Sequence, residues 1–151
     1  MKQIITFFTI LFLLTGCSND NDNNNSGQSA VEFKLIAQGD PSPSQTENIP
    51  KSNLVVKNTE SWNSFLSKMS SYETSKFTET NVVFAKYQII VVFDQVYSNG
   101  GHSIDITKIT ENNNRIFVKV EKLLKGNIAT VVTQPYHIVK IAKSSKKVVF
   151  K

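Results

Sequence analysis

Few side chains in this 151-residue chain can do chemistry near neutral pH: one thiol, Cys17, and two imidazoles, His102 and His137. A thiol serves as nucleophile, metal ligand or attachment point, and an imidazole as acid, base or ligand. Spacing removes most of these roles. His102 and Asp105 are three apart on an extended run, so they project to opposite faces and make neither a catalytic pair nor a metal pair. His137 shares its face with Val139 and Ile141, which predicts a satisfied, partly buried histidine. Two histidines also fall short of the three ligands of a catalytic zinc or the four of a structural one. Asp94 follows an apolar run that would bury it, with no second carboxylate near it in sequence. No Gly-x-Ser-x-Gly elbow, His-Glu-x-x-His, phosphate loop or cysteine pair occurs. We therefore expect no catalytic residue, no metal, no cofactor and no enzyme.

The elements that would position these groups can be read from periodicity. Residues 31–37 alternate apolar and polar at Val31, Phe33 and Leu35 and predict the first strand. A polar loop with Pro41, Pro43 and Pro50 follows, then a short strand over 53–57. Thr59 is a candidate N-cap for an amphipathic helix of about three turns, with Trp62, Phe65, Leu66 and Met69 as one apolar stripe. Trp62 reads there as a core anchor. Residues 88–93 are nearly all apolar and predict a central strand covered on both faces. Asn99-Gly100-Gly101 and Asn112-Asn113-Asn114 read as turns flanking alternating strands at 104–109 and 116–120. Further strands are expected over 128–133, 136–142 and 148–150, with Pro135 breaking the ladder between the first two. The sum is an α+β domain, with one packed helix on a largely antiparallel β-sheet of six to eight strands.

Charge narrows the partners. The formal net charge is +5, and Lys140, Lys143, Lys146, Lys147 and Lys151 crowd the C-terminus. Such an end meets an anionic surface or an acidic partner, or it is a solvated strand edge whose lysines block edge-to-edge pairing. Arg115 is the single arginine and no nucleic-acid motif is present, so no nucleic acid is expected as a partner.

The N-terminus explains the lone thiol. Lys2 precedes an apolar run of about 11 residues at 4–14, too short for the roughly 20 that span a bilayer. The run ends in Leu14-Thr15-Gly16-Cys17, which resembles the lipobox of bacterial lipoproteins at all four positions. The resemblance implies a signal peptide at 1–16, cut before Cys17, and Cys17 as a lipidated, palmitate-bearing first residue anchored in the membrane. Residues 17–29 carry the low-complexity run SNDNDNNNSGQS, which lacks apolar residues and predicts a disordered tether. Asp20 and Asp22 soon after the cysteine are similar to signals for the outer face of the outer membrane. Residues 30–151 are then a single domain in the bacterial cell envelope, held without any internal disulfide.

Two motifs remain: Tyr97-Ser98-Asn99-Gly100-Gly101-His102-Ser103-Ile104 and Thr133-Gln134-Pro135-Tyr136-His137-Ile138-Val139. With the Ser61-Trp62 helix start, they resemble the PrcB C-terminal domain family over about residues 53–142. That family usually shows Thr-Gly-Gly-Tyr where Asn99-Gly100-Gly101-His102 stands here. Its named member is a non-catalytic lipoprotein associated with a serine protease. The resemblance implies an accessory module that binds a protease or another envelope protein. Asn99, Gly100, Gly101, His102, Pro135, Tyr136 and His137 are the candidate interaction residues. The same two turns are also similar to the loops of chagasin-like cysteine protease inhibitors. This gives the alternative of an inhibitor that wedges residues 98–102 and 134–137 into a cleft. Taken singly, each glycine and proline is explained by turn formation alone.

Overall fold

A computed structural model describes residues 27–47 and 49–151. The lipobox, Cys17 and residues 18–26 of the expected tether lie outside the described residues. Among the described residues, eight strands form two four-stranded sheets. They are β1 (Ser29–Ala30), β2 (Phe33–Gly39), β3 (Ser52–Val56), β4 (Tyr87–Phe93), β5 (Asp105–Glu111), β6 (Arg115–Glu121), β7 (Tyr136–Ala142) and β8 (Lys147–Phe150). One sheet has the order β2-β7-β4-β3 and the other β1-β5-β6-β8. All pairs are antiparallel except β6 with β8. Helical structure is minor: a 3-10 turn at Pro43–Gln45, α1 (Thr59–Leu66) and α2 (Ser71–Thr74). The expected single sheet with one helix is thus a mostly β, two-sheet domain.

The central sheet is covered on both faces, as the apolar run of β4 requires. Ile89, Val91 and Phe93 face a layer holding Trp62, Phe65 and Met69. Ile90 and Val92 face the second sheet, through Ile106, Ile109, Ile116 and Val118. Trp62 is the expected anchor. It is 1% exposed, stacks on Phe65 at 5.3 Å, and donates its Nε1–H to the Thr80 carbonyl.

Local departures have local causes. The N-cap of α1 is Asn58, not Thr59, because the Asn58 side chain accepts the Ser61 N–H. The helix ends at Leu66, and Met69 stays buried from the turn beyond it. β2 begins at Phe33, two residues later than expected, and its register on β7 shifts between Leu35 and Ala37. Ser29 and Ala30, at the tether boundary, pair with Glu111 and Thr110.

The expected strand over 128–133 does not form. Val131 donates to the Ala129 carbonyl two residues back, which closes a tight turn and ends extension. Ile128, Val131 and Val132 project into solvent, so their apolar pattern has no sheet to face.

Candidate functional site

The Asn99-Gly100-Gly101-His102 turn follows β4 and is packed against residues 125–133. Gly101 has φ of +77°, a conformation that favours glycine. A Cβ there would lie 2.5 Å from the Asn127 amide. The backbone of the turn is held by a dense set of hydrogen bonds. Asn127 N–H donates to the Gly100 carbonyl, Gly126 N–H to Gly101, and Gly100 N–H to Ala129. The Asp40 carboxylate accepts the N–H groups of Gly101 and His102 at 3.0 and 3.3 Å. Thr133 donates its hydroxyl to the Asn99 carbonyl, and an isolated bridge joins Tyr97 to Thr133.

His102 replaces the aromatic that the resembled family shows at this turn, and it keeps an aromatic role. Its ring stacks on Tyr97 with centroids 3.6 Å apart and planes 9° from parallel. Its Nε2 lies 3.0 Å from the Asn99 Oδ1. The Tyr97 hydroxyl donates to Asp94 at 2.6 Å and accepts from Lys122 at 2.8 Å.

Asp94 is the charged centre beneath this turn. Its side chain is fully buried and ion-paired to Lys122 at 2.7 Å and Lys51 at 3.2 Å. Burial alone would raise its pKa. Hydrogen bonds from Lys122, Tyr97, the Gln95 N–H and Lys51 outweigh burial and hold it down to about 2. A carboxylate so firmly ionised is a structural clamp rather than a proton carrier. Gln134 braces the same corner: its amide donates to the carbonyls of Ile49 and Asp94 and accepts from the Thr46 hydroxyl.

The second candidate loop is not a surface. Gln134, Pro135, Tyr136 and His137 are all buried. Tyr136 stacks on Phe93 at 5.3 Å and donates its hydroxyl to the buried Glu73. Burial first, and the Glu73 charge next, push the Tyr136 phenol well above its ordinary pKa. His137 accepts the Ile106 N–H on its Nδ1 at 3.0 Å. Burial lowers its pKa and the nearby Asp105 partly offsets this, so the ring is neutral near pH 7. It is the satisfied core histidine that its sequence position implies. Pro135, Tyr136 and His137 therefore drop out as interaction residues, and a two-loop wedge through 134–137 cannot form. Their carbonyls and rings hold the corner instead, as when Pro135 accepts the Asp94 N–H.

What sequence reasoning missed is the exposed partner of the Gly-Gly turn. Residues 122–132 loop out beside it and present Leu123, Leu124, Ile128, Val131 and Val132 to solvent, with Ile128 100% exposed. The loop is tied down nonetheless. Leu124 exchanges hydrogen bonds with Ser103, and Leu123 N–H donates to Asp105. The signal was present in sequence as an apolar run behind Gly126-Asn127, but it reads equally as a strand. Among the described residues, no three or more His, Cys, Asp or Glu side chains converge on one point.

Residues 88–142 match the family model described as PrcB C-terminal, which begins inside β4 and ends with β7. The helix start at Ser61-Trp62 lies outside this match. Residues 1–18 match the model described as prokaryotic membrane lipoprotein lipid attachment site, and so mark a lipid-anchored protein of the cell envelope. No curated protein and no solved structure matches the chain. Its resemblance is thus shown in two places, as a lipoprotein attachment site ending just past Cys17 and a PrcB C-terminal segment that carries both candidate turns.

Proposed function

We propose that this chain is a non-enzymatic accessory module of the cell envelope that binds a protein partner through the Gly100-Gly101 turn and the loop at residues 122–132. One observation carries the reading. Large apolar side chains, headed by the fully exposed Ile128, stand on backbone fixed by hydrogen bonds to the Gly-Gly turn. An apolar surface held in place, rather than collapsed, is what a preorganised docking site presents. Tyr97 and His102 supply a stacked aromatic pair at its base. The PrcB C-terminal match favours a secreted or surface protease assembly as the partner class, and residues after Cys17 favour the outer membrane.

The test uses lipidated protein extracted with detergent from envelopes. Wild-type protein should enrich one defined partner, and Ile128→Asp should lose it while keeping its thermal midpoint. Equal recovery of the same proteins by both forms would refute this site.

A further inference from the structure

The open face of the second sheet carries a different chemistry from the loop surface. Register puts Lys108 directly opposite Lys119, and Arg115 beside Lys147. Lys151 lies over the Phe117 ring at 4.0 Å. Alternation along β6 sends Ile116 and Val118 into the core and leaves Arg115, Phe117 and Lys119 on the solvent side. Lys108, Phe117, Lys119 and Lys151, together with Glu121, line an open groove of about 480 Å³, and Arg115 and Lys147 stand on the same face outside its lining. Like charges set opposite each other across strands cost stability. Among the described residues, only Lys119 of the five cations has an acidic partner, Glu121. Other C-terminal lysines are engaged elsewhere: Lys140 with Glu79, Lys146 with Glu111, and Lys143 with the carbonyls of Lys57 and Phe84. This face thus carries four cations without an acidic partner among the described residues, side by side on adjacent strands.

The chain from the lipid attachment site arrives on the same face. β1 is the edge strand of this sheet, and Gln28 accepts from the Thr110 hydroxyl and lines the groove. Cys17 and Ser29 are 12 positions apart. That length of chain reaches at most about 40 Å. An anchored Cys17 therefore keeps the basic face within a domain's width of lipid headgroups.

We propose that this face docks on anionic lipid headgroups of the membrane that holds the anchor. Lys108, Arg115, Lys119, Lys147 and Lys151 meet phosphate groups there, and Phe117 sits at the centre of the contact. Docking fixes the orientation of an anchored domain, with the helix layer turned away from the bilayer. It uses none of the loop residues assigned to the protein partner.

The test is lysine footprinting by acetylation and mass spectrometry on the lipidated protein in vesicles. One set is phosphatidylcholine alone, and the other is phosphatidylcholine and phosphatidylglycerol in equal parts. Each cation near an anionic surface strengthens attraction roughly fivefold. Lys108, Lys119, Lys147 and Lys151 should be labelled at least about fivefold more slowly in the anionic vesicles, and about 0.5 M salt should abolish the difference. Lys57 and Lys68, exposed on the helix side, should label alike in both. The double variant Lys108→Glu, Lys119→Glu should lose the protection at Lys147 and Lys151. Equal labelling of the face in both vesicles overturns the proposal. Protection in both kinds of vesicle also overturns it, since a second copy of the chain would then be the occupant. No partner protein is present, so this outcome is independent of the Ile128→Asp result.

Discussion

Two buried titratable residues shape how the fold responds to acid: both lose stabilisation as pH falls, in different windows. Asp94 has a folded pKa of about 2 against an ordinary 3.8. The stabilisation is therefore complete above about pH 4 and is lost as pH falls toward 2. Nearly two units correspond to at most about 2.5 kcal/mol, less whatever salt screens from the half-exposed lysines. Asp94→Asn should lower stability by about 1–2 kcal/mol at pH 7 and flatten the loss below pH 4, read from urea midpoints across pH. His137 is depressed as well, but by burial. Its contribution is complete above its ordinary value of 6.5 and declines as pH falls below it. His137→Gln keeps an acceptor for the Ile106 N–H without a titrating ring. It should remove the loss of thermal midpoint between about pH 6.5 and 5 that the wild type shows. An identical slope in the variant would assign that loss elsewhere. The core role of His137 is legible in sequence from its apolar neighbours. The Asp94 clamp is not, because Lys51 and Lys122 converge on it from separate segments.

The element that decides the proposed binding surface is the pair formed by the Gly-Gly turn and the loop beside it. Gly126 has φ of +95°, and a Cβ there would sit 2.4 Å from the His102 Nε2. Gly126→Ala therefore imposes both a left-handed penalty of about 1–2 kcal/mol and a displacement of His102 from Tyr97. The His102 ring protons, shifted upfield by the Tyr97 ring, should move toward ordinary values in the NMR spectrum, and partner recovery should fall. Unchanged shifts would mean that the stack does not depend on this loop. Turn chemistry made Gly100-Gly101 visible in sequence. The conformation between Asn127 and Thr133 was not visible, since Ile128, Val131 and Val132 satisfy a strand pattern and an exposed display equally well. Similarly, Asn58 and Thr59 are both good caps, and only the Ser61 N–H geometry separates them.

At the scale of the molecule, β4 announced a sheet covered on both faces, and that feature holds. The division into two sheets was hidden because it depends on pairings far apart in sequence. β8 joins β6 in parallel, and β7 inserts between β2 and β4. Alternation says which side of a strand is buried but not which strand lies beside it. Among the described residues, the two cores take their side chains from Val31 onward. Modification at Cys17 should therefore govern where the protein resides and leave its folding unchanged. Cells fed radiolabelled palmitate should label the wild-type chain and not Cys17→Ala, while the two purified proteins unfold at the same temperature. Label persisting on Cys17→Ala would move the lipid to another residue, since no other cysteine exists in the chain. A lowered unfolding temperature would instead make the N-terminal segment part of the fold, and the basic sheet face would then no longer be tethered but built against it.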